Sequence, residues 1–279
     1  MNMRTQFLTS LCMSFLFSHC LLVSSGQALA KSQSKAEQDE LNRQLFPGAS
    51  LPTHYRFTFK YPFRECVIPM RDKVKLNGLL FKSNNPKGVI LYLHGSNNAL
   101  NIWGKLSPAY TQLQYDVLMI DYRGYGKSGG KIISEGQLHQ DMQTVYDYVK
   151  RMYPENQIII LGHSMGTGLA ARLASVNKPR KLILQAPYYS VTDWVLHLLP
   201  SFDTTLIAYK LPTYQFLRKT ASPVLVIHGD ADQAIYCGSS LKLEACLKPS
   251  DQLIILKGEG HTEFVKNRDY KKTLQSFLR

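Results

Sequence analysis

The run Ile158-Ile-Ile-Leu-Gly162-His163-Ser164-Met165-Gly166 limits what this chain can fold into more than any other. Its apolar, β-branched start reads as a buried strand, and it passes without a spacer into glycine-x-serine-x-glycine. Beyond it, Leu169, Ala170, Leu173 and Ala174 recur at helical spacing and predict a helix from Gly166 to Val176. A serine at so tight a strand-to-helix turn projects its hydroxyl above the sheet. A side chain at position 162 or 166 would collide with neighbouring backbone, which accounts for glycine at both. The five-residue pattern alone fits any glycine-rich turn; the strand before it and the helix after it give it chemical meaning.

The rest of the chain repeats the alternation of strand and helix. Apolar runs predict strands at Glu65–Pro69, Val74–Phe81, Val89–Leu93, Asp116–Ile120, Ile158–Leu161, Lys181–Gln185, Val224–Ile227 and Gln252–Leu256. Between them, Ser134-Glu-Gly-Gln is a capping box, and Leu138, Met142, Val145 and Val149 carry the helix it opens as far as Pro154. Thr262 to Leu278 reads as a basic C-terminal helix. The fold class is therefore α/β, an eight-stranded, mostly parallel sheet flanked by helices. The strandless interval 187–222 is too long for an ordinary connection and reads as a short helical cap insert.

At 279 residues, with 44% hydrophobic and 19% charged, the chain suits one large globular domain and excludes collagen-like, disordered and multi-span membrane classes. Residues 1–30 read as a signal peptide: Arg4, an apolar stretch from Phe7 to Val23, then Ala28-Leu29-Ala30 as the cleavage site. Export to the periplasm, the envelope or the medium is the expectation. Residues 31–60 form an N-terminal extension, of which 31–44 are polar enough to read as a solvated tail. Residues 61–279 form the domain. The formal charge of +13 favours anionic partners. Lys210, Arg218, Lys219, Lys266, Arg268, Lys271 and Lys272 allow peripheral contact with anionic membrane, although such runs are usually solvated faces. No nucleic acid partner is expected, because neither a helix-turn-helix nor an aromatic RNA-binding motif is present. Cys66, Cys237 and Cys246 remain after cleavage. They read as free, packed thiols, since helical spacing would hold Cys237 and Cys246 too far apart to bridge. The scattered histidines offer no metal-ligand spacing.

A serine hydroxyl needs a base to remove its proton and an acid to orient that base. On this architecture they follow in the order serine, acid, histidine, in loops at the carboxyl ends of strands. His261 follows the strand Gln252–Leu256 through Gly258-Glu259-Gly260. The acid is Asp232 in His228-Gly229-Asp230-Ala231-Asp232, with Asp230 and Asp193 as competitors. His94 and His228, each ending a strand before glycine, read as structural hydrogen-bonders. An oxyanion needs two preorganised donors: the amide of Met165, and an amide in the loop His94-Gly95-Ser96-Asn97, with Ser96 preferred over Asn97.

His94-Gly95, Asp121-Tyr122-Arg123-Gly124-Tyr125-Gly126-Lys127-Ser128, Gly162-His163-Ser164-Met165-Gly166, His228-Gly229 with Asp232, and Gly260-His261 together resemble the α/β-hydrolase superfamily. They span residues 90–261, and the Asp-Tyr-Arg-Gly run is similar to the branch of serine-aminopeptidase-like hydrolases and ABHD-type thioesterases. The resemblance implies an α/β-hydrolase fold, Ser164, Asp232 and His261 as a catalytic triad, and no metal or organic cofactor. His-Gly-Ser-Asn replaces the His-Gly-Asn-Ala common in that branch, which puts the second oxyanion donor in doubt. The cap insert supplies Tyr188, Trp194 and Leu198 as expected substrate-binding residues, unless they only pack the insert onto the domain. An apolar cap suits a small-molecule or lipid-like acyl substrate. With only Asp193 and Asp203 there to hold a free amine, ester or thioester hydrolysis is favoured over amidase or aminopeptidase action. A non-catalytic ligand-binding protein is the reading from another class.

Overall fold

A computed structural model describes residues 38–262 and 264–279 of the chain. The expected signal peptide and residues 31–37 lie outside the described residues. The main sheet has eight strands. In chain order these are β1 (Phe63–Pro69), β2 (Lys75–Phe81), β3 (Val89–Leu93), β4 (Asp116–Ile120), β5 (Ile158–His163), β6 (Lys181–Gln185), β7 (Val224–Gly229) and β8 (Gln252–Leu256). Their spatial order is β8-β7-β6-β5-β3-β4-β2-β1. From β8 to β4 every neighbouring pair is parallel, and β2 pairs antiparallel with both β4 and β1. A short parallel pairing of Ala49–Ser50 with Tyr125–Gly126 stands apart from this sheet.

The continuous apolar text of β5 follows from burial on both faces. Ile158 and Ile160 point to one side, where they join Leu138, Met142 and Val145 of helix α1 (Glu135–Lys150) and Leu169 and Leu173 of helix α2 (Gly166–Val176). Ile159 and Leu161 point to the other, with Trp103, Tyr110, Tyr270 and Leu274. The cap interval holds α3 (Val191–Leu198), a 3-10 turn and α4 (Thr213–Leu217). Helix α5 (Gly238–Glu244) leads into β8, and α6 (Arg268–Phe277) closes the chain. As expected, Ser134 caps α1, accepting from the Gln137 amide; the Gln137 side chain reaches back to the Ile133 amide.

Two local expectations are corrected. The polar segment read as a solvated tail is helical over residues 38–45, and Leu41 and Leu45 are buried in the core. Two leucines four apart are enough to dock one helical stripe, although the surrounding composition is that of a solvated segment. The C-terminal helix begins at Arg268 rather than Thr262, because the Asn267 side chain accepts from the Tyr270 amide and caps it there. A 3-10 turn, Phe264–Lys266, precedes it. Cys66, Cys237 and Cys246 are free thiols.

Candidate active site

The parallel register brings the carboxyl ends of β3, β5, β6, β7 and β8 to one edge, pairing Leu93 with Gly162, His163 with Gln185 and Gly229 with Leu256. Ser164 sits at the turn from β5 into α2 with φ of +52°, a left-handed conformation that a non-glycine residue adopts at a cost. Its peptide is clamped on both sides: its amide donates to the Gln185 carbonyl at 2.9 Å, and its carbonyl accepts from the Thr167 amide at 2.9 Å and hydroxyl at 2.5 Å. The flanking glycines are required by contact. A Cβ at Gly162 would lie 2.4 Å from the Gly166 carbonyl oxygen, and one at Gly166 2.1 Å from that of Leu93.

The loops after β7 and β8 are tied to one another. The Ala231 amide donates to the Glu259 carbonyl at 3.0 Å, and the Asp230 carboxylate accepts from the Gly258 amide at 2.6 Å. A Cβ at Gly229 would stand 2.1 Å from the Glu259 oxygen, so glycine there lets the two loops close up. That contact brings the three sequence-derived residues together. His261 Nδ1 is 2.7 Å from Asp232 Oδ2, and His261 Nε2 is 2.9 Å from Ser164 Oγ. The competing carboxylates are occupied elsewhere: Asp230 holds the Gly258 turn, and Asp193 pairs with Tyr236 and Lys242.

Asp232 is buried, yet its carboxyl is held well below the usual carboxylate range. Burial alone would push it up; hydrogen bonds from His228 and His261 and the Ile235 amide outweigh that. With Asp232 ionised, Nδ1 of His261 carries the proton and Nε2 is left to accept from the Ser164 hydroxyl. Burial, with the His261 ring beside it, pushes His163 down to about 3, so the imidazole next to the serine is neutral.

The loop after β3 is fixed through its carbonyls. Those of His94, Gly95, Ser96 and Asn97 accept from the Tyr122 hydroxyl, the His94 ring, the Tyr125 hydroxyl and the Trp103 indole, at 2.9, 2.7, 2.8 and 2.7 Å. Holding the Gly95 carbonyl sets the plane of the Ser96 amide, and holding the Ser96 carbonyl sets that of the Asn97 amide. Met165 opens α2, and its carbonyl accepts from the Tyr188 hydroxyl at 2.9 Å. Tyr122, Tyr125 and Trp103 were not among the expected site residues. The aromatic positions of the Asp-Tyr-Arg-Gly-Tyr run were the available signal for Tyr122 and Tyr125; Trp103 lies outside that run.

Ser164 and His261 open onto a cleft of about 290 Å³ whose walls are Gly95, Ser96, Asn97, Asn98, Ile102, Trp103, Leu106, His163 and Thr262. Tyr188, Trp194 and Leu198 are not among these walls. Tyr188 is buried, its hydroxyl on Met165, and the Trp194 indole donates to the Ala234 carbonyl at 2.8 Å. Both polar ends serve to seat the insert, which accounts for their absence from the cleft. The apolar wall comes instead from Ile102, Trp103 and Leu106, after the β3 loop.

An open, mostly parallel sheet with a serine elbow and a histidine and a carboxylate converging on it defines an α/β hydrolase. A family model described as serine aminopeptidase, S33, matches residues 84–222. Alpha/beta hydrolase domain-containing protein 17B of Homo sapiens is 31% identical over 224 residues, covering 77% of this chain and 75% of the human one. Its Xenopus tropicalis counterpart is 31% identical, covering 70% and 68%. An esterase of Pyrococcus furiosus shares the fold at a TM-score of 0.67 and 20% identity, over 82% of this chain and 98% of its own. A Butyrivibrio proteoclasticus protein solved with ferulic acid bound does so at 0.64 and 21%, over 76% and 97%. The chain belongs to the α/β-hydrolase superfamily, as an ABHD-type hydrolase.

Proposed function

We propose that this hydrolase cleaves carboxylic esters or thioesters, of small-molecule or lipid-like acyl groups, through an acyl-enzyme on Ser164. The observation that carries the reading is the continuous link from Ser164 Oγ to His261 Nε2, 2.9 Å, and from His261 Nδ1 to Asp232, 2.7 Å. His261 takes the serine proton as Oγ attacks the acyl carbonyl, and Asp232 holds the tautomer and stabilises the imidazolium that forms. The tetrahedral oxyanion is met by the Met165 amide and by that of Ser96 or Asn97, whose planes are preset. His261 then returns the proton to the leaving alcohol or thiol. Water, deprotonated by the same imidazole, attacks the acyl-enzyme and releases the carboxylic acid.

The family model's description favours a second reading, an aminopeptidase or amidase. Against it, the cap's two aspartates are engaged, Asp193 with Tyr236 and Lys242 and Asp203 with Thr205, rather than open to a substrate amine. Initial rates on p-nitrophenyl esters, acyl thioesters and aminoacyl anilides of matched size separate the two. The ester reading predicts faster ester and thioester turnover; preferred cleavage of the anilides would replace it with the peptidase reading. The proposal includes export, for which the N-terminal pattern is the support: the mature chain recovered outside the cytoplasm should begin at Lys31. Peripheral contact with anionic membrane rests on the exposed Lys210, Arg218, Lys219, Arg268, Lys271 and Lys272, and salt-sensitive pelleting with anionic vesicles is its test.

A further inference from the structure

His228, the next-to-last residue of β7, has its ring fully buried and touches neither Ser164 nor the cleft. Its Nε2 lies 3.1 Å from Asp232 Oδ2 and 2.9 Å from the Ile235 carbonyl, and Nδ1 lies 2.6 Å from Ser240 Oγ. Two acceptors at Nε2 place the proton there, so the Ser240 hydroxyl donates to Nδ1 and locks the tautomer. Asp232 thus receives two imidazole N–H groups on the same oxygen. Its other oxygen receives the Ala234 and Ile235 amides at 2.8 and 3.0 Å. We propose that His228 is a positioning residue for the proposed hydrolysis: by donating to Asp232 Oδ2 beside His261, it fixes the carboxylate and moderates its pull on the His261 proton.

The sign of the effect follows from the geometry. A neutral N–H aimed at Asp232 Oδ2 turns its positive end toward the site where His261 becomes cationic. It also spends part of the charge that would otherwise stabilise the imidazolium. Without it, Asp232 holds protonated His261 more strongly, and the base is charged over a wider range of pH. The other titratable groups around the pair are His163, whose ring centroid is 5.2 Å from that of His261, and Asp230 and Cys237 on the Asp232 side. None of them donates to Asp232 Oδ2. The expected displacement of the His261 midpoint is about one pH unit, a tenfold change in its proton affinity.

The inference rests on the hydrolase reading, and its test uses one readout tied to turnover and one that is not. In the full chain, His228→Gln keeps a donor near the Nε2 position, whereas His228→Phe and His228→Leu remove it. The acidic limb of kcat/KM on a p-nitrophenyl ester is expected to move to higher pH by about a unit in the Phe and Leu variants, with kcat reduced more than KM changes, and to stay near wild type in the Gln variant. NMR titration of the His261 ring, assigned with His261→Ala, should show the same displacement whether or not the ester is turned over. A folded Phe or Leu variant with the wild-type titration midpoint overturns the role, as does a Gln variant displaced as far as those two. A wild-type chain that neither hydrolyses esters nor reacts with a fluorophosphonate overturns the hydrolase reading instead, and the NMR titration then still decides what His228 does to His261.

Discussion

At the scale of single residues, the site depends on which carboxylate meets His261. Sequence order and the two spacer residues after His228-Gly229 favour Asp232, with Asp230 in the same loop and Asp193 as competitors. The difference lies in direction: Asp230 turns back to the Gly258 amide, while Asp232 turns inward to His261. Asp232→Asn would keep the shape and leave His261 without its tautomer-setting acceptor. A loss of about 10⁴-fold in kcat is expected, as in other serine triads, with the fold intact by circular dichroism. Asp230→Asn still offers an oxygen to Gly258 and should lose less than tenfold. Equal losses in steady-state kinetics would show that the acid had been misassigned. Ser164 was legible because it follows an apolar strand directly, and His261 because only the short loop Lys257-Gly258-Glu259-Gly260 separates it from one. The apolar character of Tyr188, Trp194 and Leu198 does not by itself tell a side chain that lines a cleft from one that packs an insert.

At the scale of elements, the strands were nearly all readable because the central ones, β3 to β7, are buried on both faces, and their apolar runs end where the loops begin. The two segments that escaped are held by few residues: 38–45 by Leu41 and Leu45, and the start of α6 by the Asn267 cap. The elbow between β5 and α2 is the element under the strictest steric demand. Gly166→Ala would drive a methyl group into the Leu93 carbonyl, 2.1 Å away, where backbone rather than a flexible side chain must yield. A destabilisation of about 3 kcal/mol in urea unfolding is expected, at the upper end for overpacking. Ser134→Ala, which removes only the α1 cap, should cost about 1 kcal/mol by the same measurement. A Gly166→Ala chain as stable as wild type would contradict the close approach of β3 to the elbow.

At the scale of the whole molecule, burial sets how stability responds to pH. Burial pushes His94 and His139 down to about 4 and His163 to about 3, below the ordinary 6.5. These rings bind fewer protons in the folded chain than in the unfolded one, so their contribution is present above about pH 6.5 and lost as the pH falls toward 4. Asp121 opposes them. Burial raises it to about 7, and its contribution is present below about pH 4 and lost as the pH rises toward 7. Three imidazoles against one carboxyl leave the first effect dominant between pH 6.5 and 4. The thermal unfolding midpoint should fall on going from pH 7 to pH 5, and fall less in His139→Gln; a midpoint that rises would contradict this. The same compact packing carries the central claim, that one serine at the sheet's edge performs the chemistry of the entire chain. Initial rates of p-nitrophenyl ester hydrolysis by the wild type and Ser164→Ala, purified side by side, test it most directly. A fall of about a million-fold, to the background rate, is the predicted result, and an undiminished rate in a preparation free of contaminating esterase would contradict it.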